Sequence, residues 1–197
     1  MRVPVRADFA LSTISLARAL VGAVLAHDTR EGIAAGRIVE TEAYLAVDDP
    51  ASHSHRGPTR RNASMFGEPG CAYVYACYGV HRCFNVVTAP RGTGEAVLVR
   101  ALEPLEGTEL MRRRRGGVRD RELCSGPGKL CVALGIGLEH DGRELARGSL
   151  RLWIPRVPVP AASIDVGPRI GITRAAELPL RFVVRGTAWA SRRLAAP

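Results

Sequence analysis

Two glutamates stand two residues apart in the segment Arg37-Ile-Val-Glu40-Thr-Glu42-Ala-Tyr44, and three tyrosines crowd the segment Tyr73-Val-Tyr75-Ala-Cys-Tyr78-Gly79. A carboxylate is the side chain that takes a proton from an attacking water, and an aromatic ring is the one that stacks a flat ligand. Strand alternation puts Glu40, Glu42 and Tyr44 on one face and Val39, Thr41 and Ala43 on the other. Taken alone, that octapeptide reads as an exposed face carrying two charges, so the second aromatic cluster decides its meaning. Tyr73 and Tyr75 share a face, whereas Tyr78 falls at a turn beside Gly79, where a core position needs something to cover it. Asn85 sits among apolar strand residues, as a structural hydrogen-bonding group or as a reader of a ligand edge. Arg100, inside Val97-Leu-Val-Arg100-Ala, is a cation in an apolar strand and needs a counter-ion, for which Glu42 is the natural candidate.

Charge suggests the partner. The 197-residue chain carries a formal net charge of +9 with a pI near 10.2, and 27 of its 28 basic residues are arginine, Lys129 being the lone lysine. Compositional bias accounts for the arginine count, yet a guanidinium still matches phosphate oxygens, which favours nucleic acid. With that partner, Tyr78 reads as a wedge entering a base stack; its alternative is an ordinary core tyrosine. The run Arg112-Arg113-Arg114-Arg115 is equally a solvated helix end and a polyanion contact. Ser125-Gly126-Pro127-Gly128-Lys129 offers free backbone N–H groups and a cation, a weak phosphate cradle without the spacing of a nucleotide-binding loop.

Composition excludes other classes. The five cysteines form no Cys-x-x-Cys pair and the five histidines no His-Glu-x-x-His pattern, so neither a metal, a cofactor nor a disulfide framework is expected. No run of about 18 apolar residues exists to span a membrane. The apolar stretch Ala19 to Ala26 is broken by Gly22 and does not read as a signal peptide, which makes the expected location cytoplasmic.

The elements that must position these residues can be sketched. Ser12 or Thr13 caps a helix ended by Gly22, followed by extended segments over Ala23 to Asp28 and Ile33 to Tyr44. Asp48-Asp49-Pro50 breaks the second strand, and residues 52–62 are mostly loop. Ala72 to Val87 is extended with a reversal near Gly79, and Ala96 to Ala101 is a further strand. Pro104 should open a helix running into the arginine run, with Glu109 supporting Arg113 four residues on. A helix follows the Ser125–Lys129 segment, and late strands are expected at 150–154, 169–173 and 180–184. Strands and helices mix without regular alternation, which predicts a single α+β domain over residues 1–197 with a largely antiparallel sheet.

Eight segments in order make the chain resemble the 3-methyladenine (alkyladenine) DNA glycosylase family. They are Leu16-Ala-Arg-Ala-Leu-Val-Gly22, Arg37 to Tyr44, Asp49-Pro-Ala-Ser-His53, Arg61-Asn62-x-x-Met65-Phe66, the tyrosine hairpin, Leu98-Val-Arg100-Ala-Leu-Glu-Pro104, Leu123-Cys-Ser-Gly126-Pro-Gly-Lys129-Leu and Arg169-Ile-Gly-Ile172. The resemblance implies a compact, curved sheet flanked by helices, like the C-terminal domain of formyltransferases, with a protruding hairpin that enters the minor groove of double-stranded DNA. It implies a monomeric, monofunctional N-glycosylase of base excision repair, associated with the nucleoid in a bacterium. Its substrates would be alkylated or deaminated purines: 3-methyladenine, 7-methylguanine, hypoxanthine and etheno-adenine. In that picture Tyr44, Tyr75 and His53 hold the flipped base, Asn85 crowds the 2-amino group of guanine, and Tyr78 is the wedge. Glu42 deprotonates the water with Arg100 placing both, while Lys129, Arg61 and Gly128 lie against phosphate. Arg82 stands where some relatives carry an aromatic, and residues 174–180 look shortened.

Two other readings use the same residues. In one the protein is a non-catalytic binder of distorted DNA in which Glu42 merely pairs Arg100. In the other Glu40, Glu42, Asp48 and Asp49 hold a metal for strand cleavage. The lone lysine sharpens the glycosylase reading, because lyase chemistry needs an amine nucleophile and only Lys129 or the amino terminus offers one. Borohydride treatment during turnover of damaged DNA is therefore expected to trap no covalent complex; a trapped complex would overturn the monofunctional assignment.

Overall fold

The computed structural model describes residues 1–77 and 79–192. An antiparallel sheet organises them: β1 (Val24–Thr29), β2 (Gly32–Tyr44), β3 (Ala72–Cys77), β4 (His81–Thr88), β5 (Glu95–Glu106), β6 (Leu150–Trp153), β7 (Ile164–Gly167) and β8 (Arg181–Val184). Strand order is β3-β4-β5-β2-β1-β6, and β2 gives up its β1 edge partway along to pair β8, which in turn pairs β7. That change of partner curls the sheet into a half-barrel. Four helices accompany it, namely α1 (Thr13–Ala19), α2 (Thr108–Arg114), α3 (Asp120–Leu123) and α4 (Pro127–Leu134), giving the expected α+β class.

Local sequence explains the main elements. The Ser12 hydroxyl accepts from the Ser15 N–H and caps α1. Pro127 supplies a preset φ in the first turn of α4, and Gly135 closes that helix in the left-handed region at φ 71°. The core lies between helices and sheet, where Ile38, Phe84, Leu102, Met111, Leu130 and Leu134 are fully buried. Each such side chain contributes about 1.5–3 kcal/mol relative to exposure. Among the described residues no helix is long and apolar enough to cross a membrane.

Three expectations fail for identifiable reasons. Pro104 opens no helix; it lies within β5, opposite Gly36 at a bulge and beyond the last residue that pairs β4, where no ladder N–H is required of it. The helix begins instead after Gly107, whose φ of 73° and closeness to the Ile33 carbonyl, 2.1 Å from where a Cβ would stand, admit no side chain. Residues 169–173 form no strand, because this segment turns its groups toward other elements: Arg169 to Asp49 and the Ile170 N–H to Glu42. The strand of that region is β7, which ends just before it. Finally, Glu109 pairs Arg112 rather than Arg113.

A buried histidine pair joins β1 to the turn after α4. The His27 Nδ1 lies 2.8 Å from the Leu134 carbonyl and must carry a proton to donate there. The Gly137 N–H lies 3.1 Å from the His140 Nδ1, which leaves the His140 Nε2–H to donate across 3.2 Å to the His27 Nε2. His27 is neutral in this arrangement, its Nε2 accepting. Burial first, then the nearby His140 and Arg114, push the His27 pKa below its ordinary 6.5, opposed by the Leu134 bond. A base with a lowered folded pKa contributes stability above its unfolded pKa and loses it as acid protonates the unfolded chain. The denaturation midpoint is expected to fall as pH drops below about 6.5, and His27→Gln should flatten that dependence; parallel losses in both proteins would exclude the pair as the cause.

Candidate active site

Glu40 and Glu42 are fully buried, and one arginine serves both. The Arg100 Nη1 donates to the Glu42 Oε2 at 3.2 Å, and its Nε stands 3.3 Å from the Glu40 Oε1. Register shifts between Ile38, Glu40 and Thr41, opposite Leu102, Ala101 and Val99, leave Arg100 without a direct cross-strand partner. Bulges re-aim side chains in this way. Glu42 has two further donors, the Ile170 N–H at 2.8 Å to Oε1 and the Tyr44 hydroxyl at 2.9 Å to Oε2. Burial raises the Glu42 pKa against the opposing pull of Arg100, Ile170 and Tyr44, and the Glu40 charge adds to the rise. Glu40 receives the Arg181 Nε at 2.6 Å and the Ser191 N–H at 2.6 Å.

Above this floor opens a cavity of about 560 Å³, lined by Tyr44, His53, Tyr73, Tyr75, Asn85 and Arg100, with Ile170 to Ile172 on one side. Tyr73 and Tyr75 follow the alternation of β3, their ring centroids 5.2 Å apart. His53 packs edge-on against Tyr75 at 4.5 Å, and its Nδ1 meets the Tyr73 hydroxyl at 2.8 Å. Although His53 is exposed at the mouth, packing against these rings lowers its pKa, and Arg61 lowers it further, so the ring is neutral. Burial pushes the Cys83 thiol up to about 11, which keeps it protonated. Burial also raises the hydroxyls of Tyr44 and Tyr75, so both are phenols.

Tyr44 is fixed from behind. The Arg169 guanidinium lies over its ring at 4.6 Å and grips Asp49 through two bonds of 2.6 and 2.7 Å. Burial alone would raise the Asp49 pKa; the Arg169 pair and the N–H groups of Leu45 and Ala51 outweigh it and hold the carboxyl below its usual range. Only the Arg169 Nε is buried without a partner among the described residues. A larger cleft, of about 800 Å³, runs along Phe9, Leu11 and Ile14, but its two acids are engaged, Glu95 by Thr13 and the Ala46 N–H and Glu68 by Arg6 and Arg91.

The remaining expected residues are placed as follows. The Asn85 Nδ2 donates to the Tyr73 carbonyl at 2.9 Å, across the β3–β4 pair, so the amide is both structural and cavity-lining. Arg61 is exposed at the rim and donates to the Ala76 carbonyl. Gly128 packs beside His81, next to the hairpin, and the exposed Lys129 rests its Nζ 3.2 Å from the Ser125 Oγ. Tyr78 lies outside the described residues. The arginine run forms the last turn of α2 and the residue after it: Arg113 is exposed, while Arg112 pairs Asp120 and Glu109, Arg114 pairs Glu31, and Arg115 donates to the Leu123 carbonyl, so part of this helix end also ties α2 to its neighbours. Among the described residues no three acids of the metal reading gather to hold an ion, and Glu40, Glu42 and Asp49 each face an arginine. Sequence reasoning missed Arg169, Arg181 and Ser191 as partners of these acids; a charged residue within an apolar segment, as at Arg169 and Arg181, was the available signal.

Comparison with known proteins sets this geometry in a class. Residues 7–188 match the family described as Methylpurine-DNA glycosylase (MPG). The protein is thus a DNA glycosylase, a hydrolase of the repair of alkylated purines. More narrowly, it belongs to the methylpurine-DNA glycosylase family. Among its relatives, a protein of Nitrosospira multiformis is 50% identical over 185 residues, covering 94% of this chain and 92% of the relative. One from Methanoculleus marisnigri is 51% identical over 183 residues, covering 92% and 94%. One from Rubrobacter xylanophilus is 52% identical over 167 residues, covering 85% and 86%. All three are provisionally named 3-methyladenine DNA glycosylases.

Proposed function

We propose that the chain is one monofunctional glycosylase domain that flips an alkylated or deaminated purine into the aromatic cavity and hydrolyses its N-glycosidic bond. Tyr44 and Tyr75 stack the base, and electron-rich faces favour a cationic lesion by about 0.5–2 kcal/mol. With the Tyr73 hydroxyl donating to Nδ1, neutral His53 carries its proton on Nε2 and offers it to a base edge. The Asn85 Nδ2 is held by the Tyr73 carbonyl, which leaves its Oδ1 to crowd the 2-amino group of guanine. Arg61, Lys129 and the Gly128 backbone face phosphate along the minor groove of a duplex bound by a monomer, and Tyr78 acts as the wedge.

The observation that carries this reading is Glu42, fully buried beneath a ring-lined cavity with three donors already fixed on its oxygens. A carboxylate has about four acceptor positions, so one is left to receive a water hydrogen. In the step itself, the water oxygen bonds to C1′ and its proton passes to Glu42. The C1′–N bond breaks toward the purine, which leaves as a neutral base when alkylation had made it cationic, and as an anion that takes a proton from solvent when it was a neutral deaminated purine. Such a leaving group needs little help, and damaged pairs unstack cheaply, so one carboxylate and one water suffice.

A non-catalytic binder would use the same cavity, and Glu42→Gln separates the two. The variant is expected to keep binding a lesion duplex while base release, followed by mass spectrometry, falls by about 10²–10⁴-fold. Because burial raises the Glu42 pKa, wild-type turnover should decline on the acid side at a pH above the ordinary glutamate range, a limb the variant should lack. Unchanged base release in the variant would sink the mechanism. Asn85→Ala should increase release of normal guanine; an unaltered guanine yield would remove Asn85 as a discriminator.

A further inference from the structure

Ser191 lies 91 residues beyond Arg100 in sequence, yet its hydroxyl stands between Arg100 and Glu40. Its Oγ donates to the Glu40 Oε1 at 2.8 Å and accepts from the Arg100 Nε at 3.3 Å. The Arg100 Nε is also 3.3 Å from that same Glu40 oxygen, so guanidinium and carboxylate are near but the hydroxyl intercepts the N–H. The Ser191 backbone N–H holds the other Glu40 oxygen at 2.6 Å, and Arg181 binds Glu40 through Nε while its Nη2 donates to the Arg192 carbonyl. Residues 191–192 are thereby strapped over Glu40. No step of the proposed hydrolysis uses this strap.

A buried arginine placed between two carboxylates divides its attraction between them. Charge-assisted bonds are roughly twice as strong as neutral ones and favour shorter contacts. Glu40, next to Arg181 and Arg100, would draw Arg100 off Glu42 unless its oxygens were otherwise satisfied. We infer that Ser191 is a positioning residue: by bonding Glu40 and receiving the Arg100 Nε, it keeps the Arg100 Nη1 on Glu42. This rests on the reading of Glu42 as the water-activating group. Facing Glu42 are Arg100 from β5, Tyr44 and Glu40 from β2, and the Ile170 N–H from the segment after β7; Arg181 of β8 acts through Glu40, and Arg169 with Asp49 stands behind Tyr44.

The test is the pH profile of single-turnover base release from a lesion duplex. Ser191→Ala keeps the backbone N–H on Glu40 but removes the intercepting hydroxyl. Its acid limb is expected to move up by about one pH unit, a roughly tenfold loss of rate below the limb, with lesion-duplex binding and the thermal midpoint little changed. Ser191→Thr, which retains the hydroxyl, should keep the wild-type limb. If Ser191→Ala does not fold, Ser191→Cys carries the same comparison, its weaker donor giving a smaller upward shift. An unmoved limb in Ser191→Ala, or an equal shift in Ser191→Thr, overturns the inference. Failure of the underlying reading is separate: there Glu42→Gln would release base normally, whereas failure of this inference leaves Glu42→Gln strongly impaired and shows only in the limbs of the serine variants.

Discussion

The site depends on one cation shared by two buried acids. Arg100 reaches Glu42 with Nη1 and lies beside Glu40 with Nε, and each carboxylate is fully buried. Neither acid is tolerable there alone, since taking a carboxylate out of water without a partner costs several kcal/mol. The sheet is arranged around that requirement. Bulges between β2 and β5 free Arg100 from the ladder, and the exchange of β1 for β8 along the β2 edge delivers Arg181 to Glu40. The segment after β7 forgoes strand pairing so that the Ile170 N–H can reach Glu42. Curl, bulge and irregular segment thus answer the same electrostatic demand.

What the sequence made legible was local. Alternation of period two in Tyr73-Val-Tyr75 correctly joined those rings on one face, and the apolar run around Arg100 correctly signalled a cation in need of Glu42. Ser12 and the segment holding Pro127 mark helix starts by their own local preferences, so they could be read without tertiary information. What escaped was long-range or register-dependent. Asp49 and Arg169 are 120 residues apart, and nothing near either names the other. Pro104 looks like a helix opener unless one knows that β4 has already ended beside it. The four consecutive arginines read as a surface feature, and Arg113 is one, yet the partners of the other three, Asp120, Glu31 and the Leu123 carbonyl, appear only once α2 is docked.

The aromatic wall shows how rigidity is added above the charged floor. His53 arrives on an irregular segment, but its bond to Tyr73 and its edge contact with Tyr75 tie that segment to β3. Asn85 ties β4 back to β3 through the Tyr73 carbonyl. Tyr73 is therefore the common anchor of the wall, though it was expected only as a neighbour of Tyr75. Tyr44, on the opposite strand system, is held by Glu42 at its hydroxyl and by Arg169 behind its ring.

The pairing of buried charges also sorts the protein's field. Glu40, Glu42 and Asp49 are matched in number by Arg100, Arg181 and Arg169, so the formal charges of these six groups sum to zero while the chain as a whole carries +9. The excess positive charge resides in the other residues. A phosphodiester backbone is drawn by that remainder and gains nothing comparable from the neutral floor, whereas a nucleobase leaves no full negative charge to be held outside. Under the proposed reading, the same molecule that attracts a polyanion over its surface keeps the polyanion's charge out of its cavity, and admission is decided by rings and hydrogen bonds rather than by net attraction.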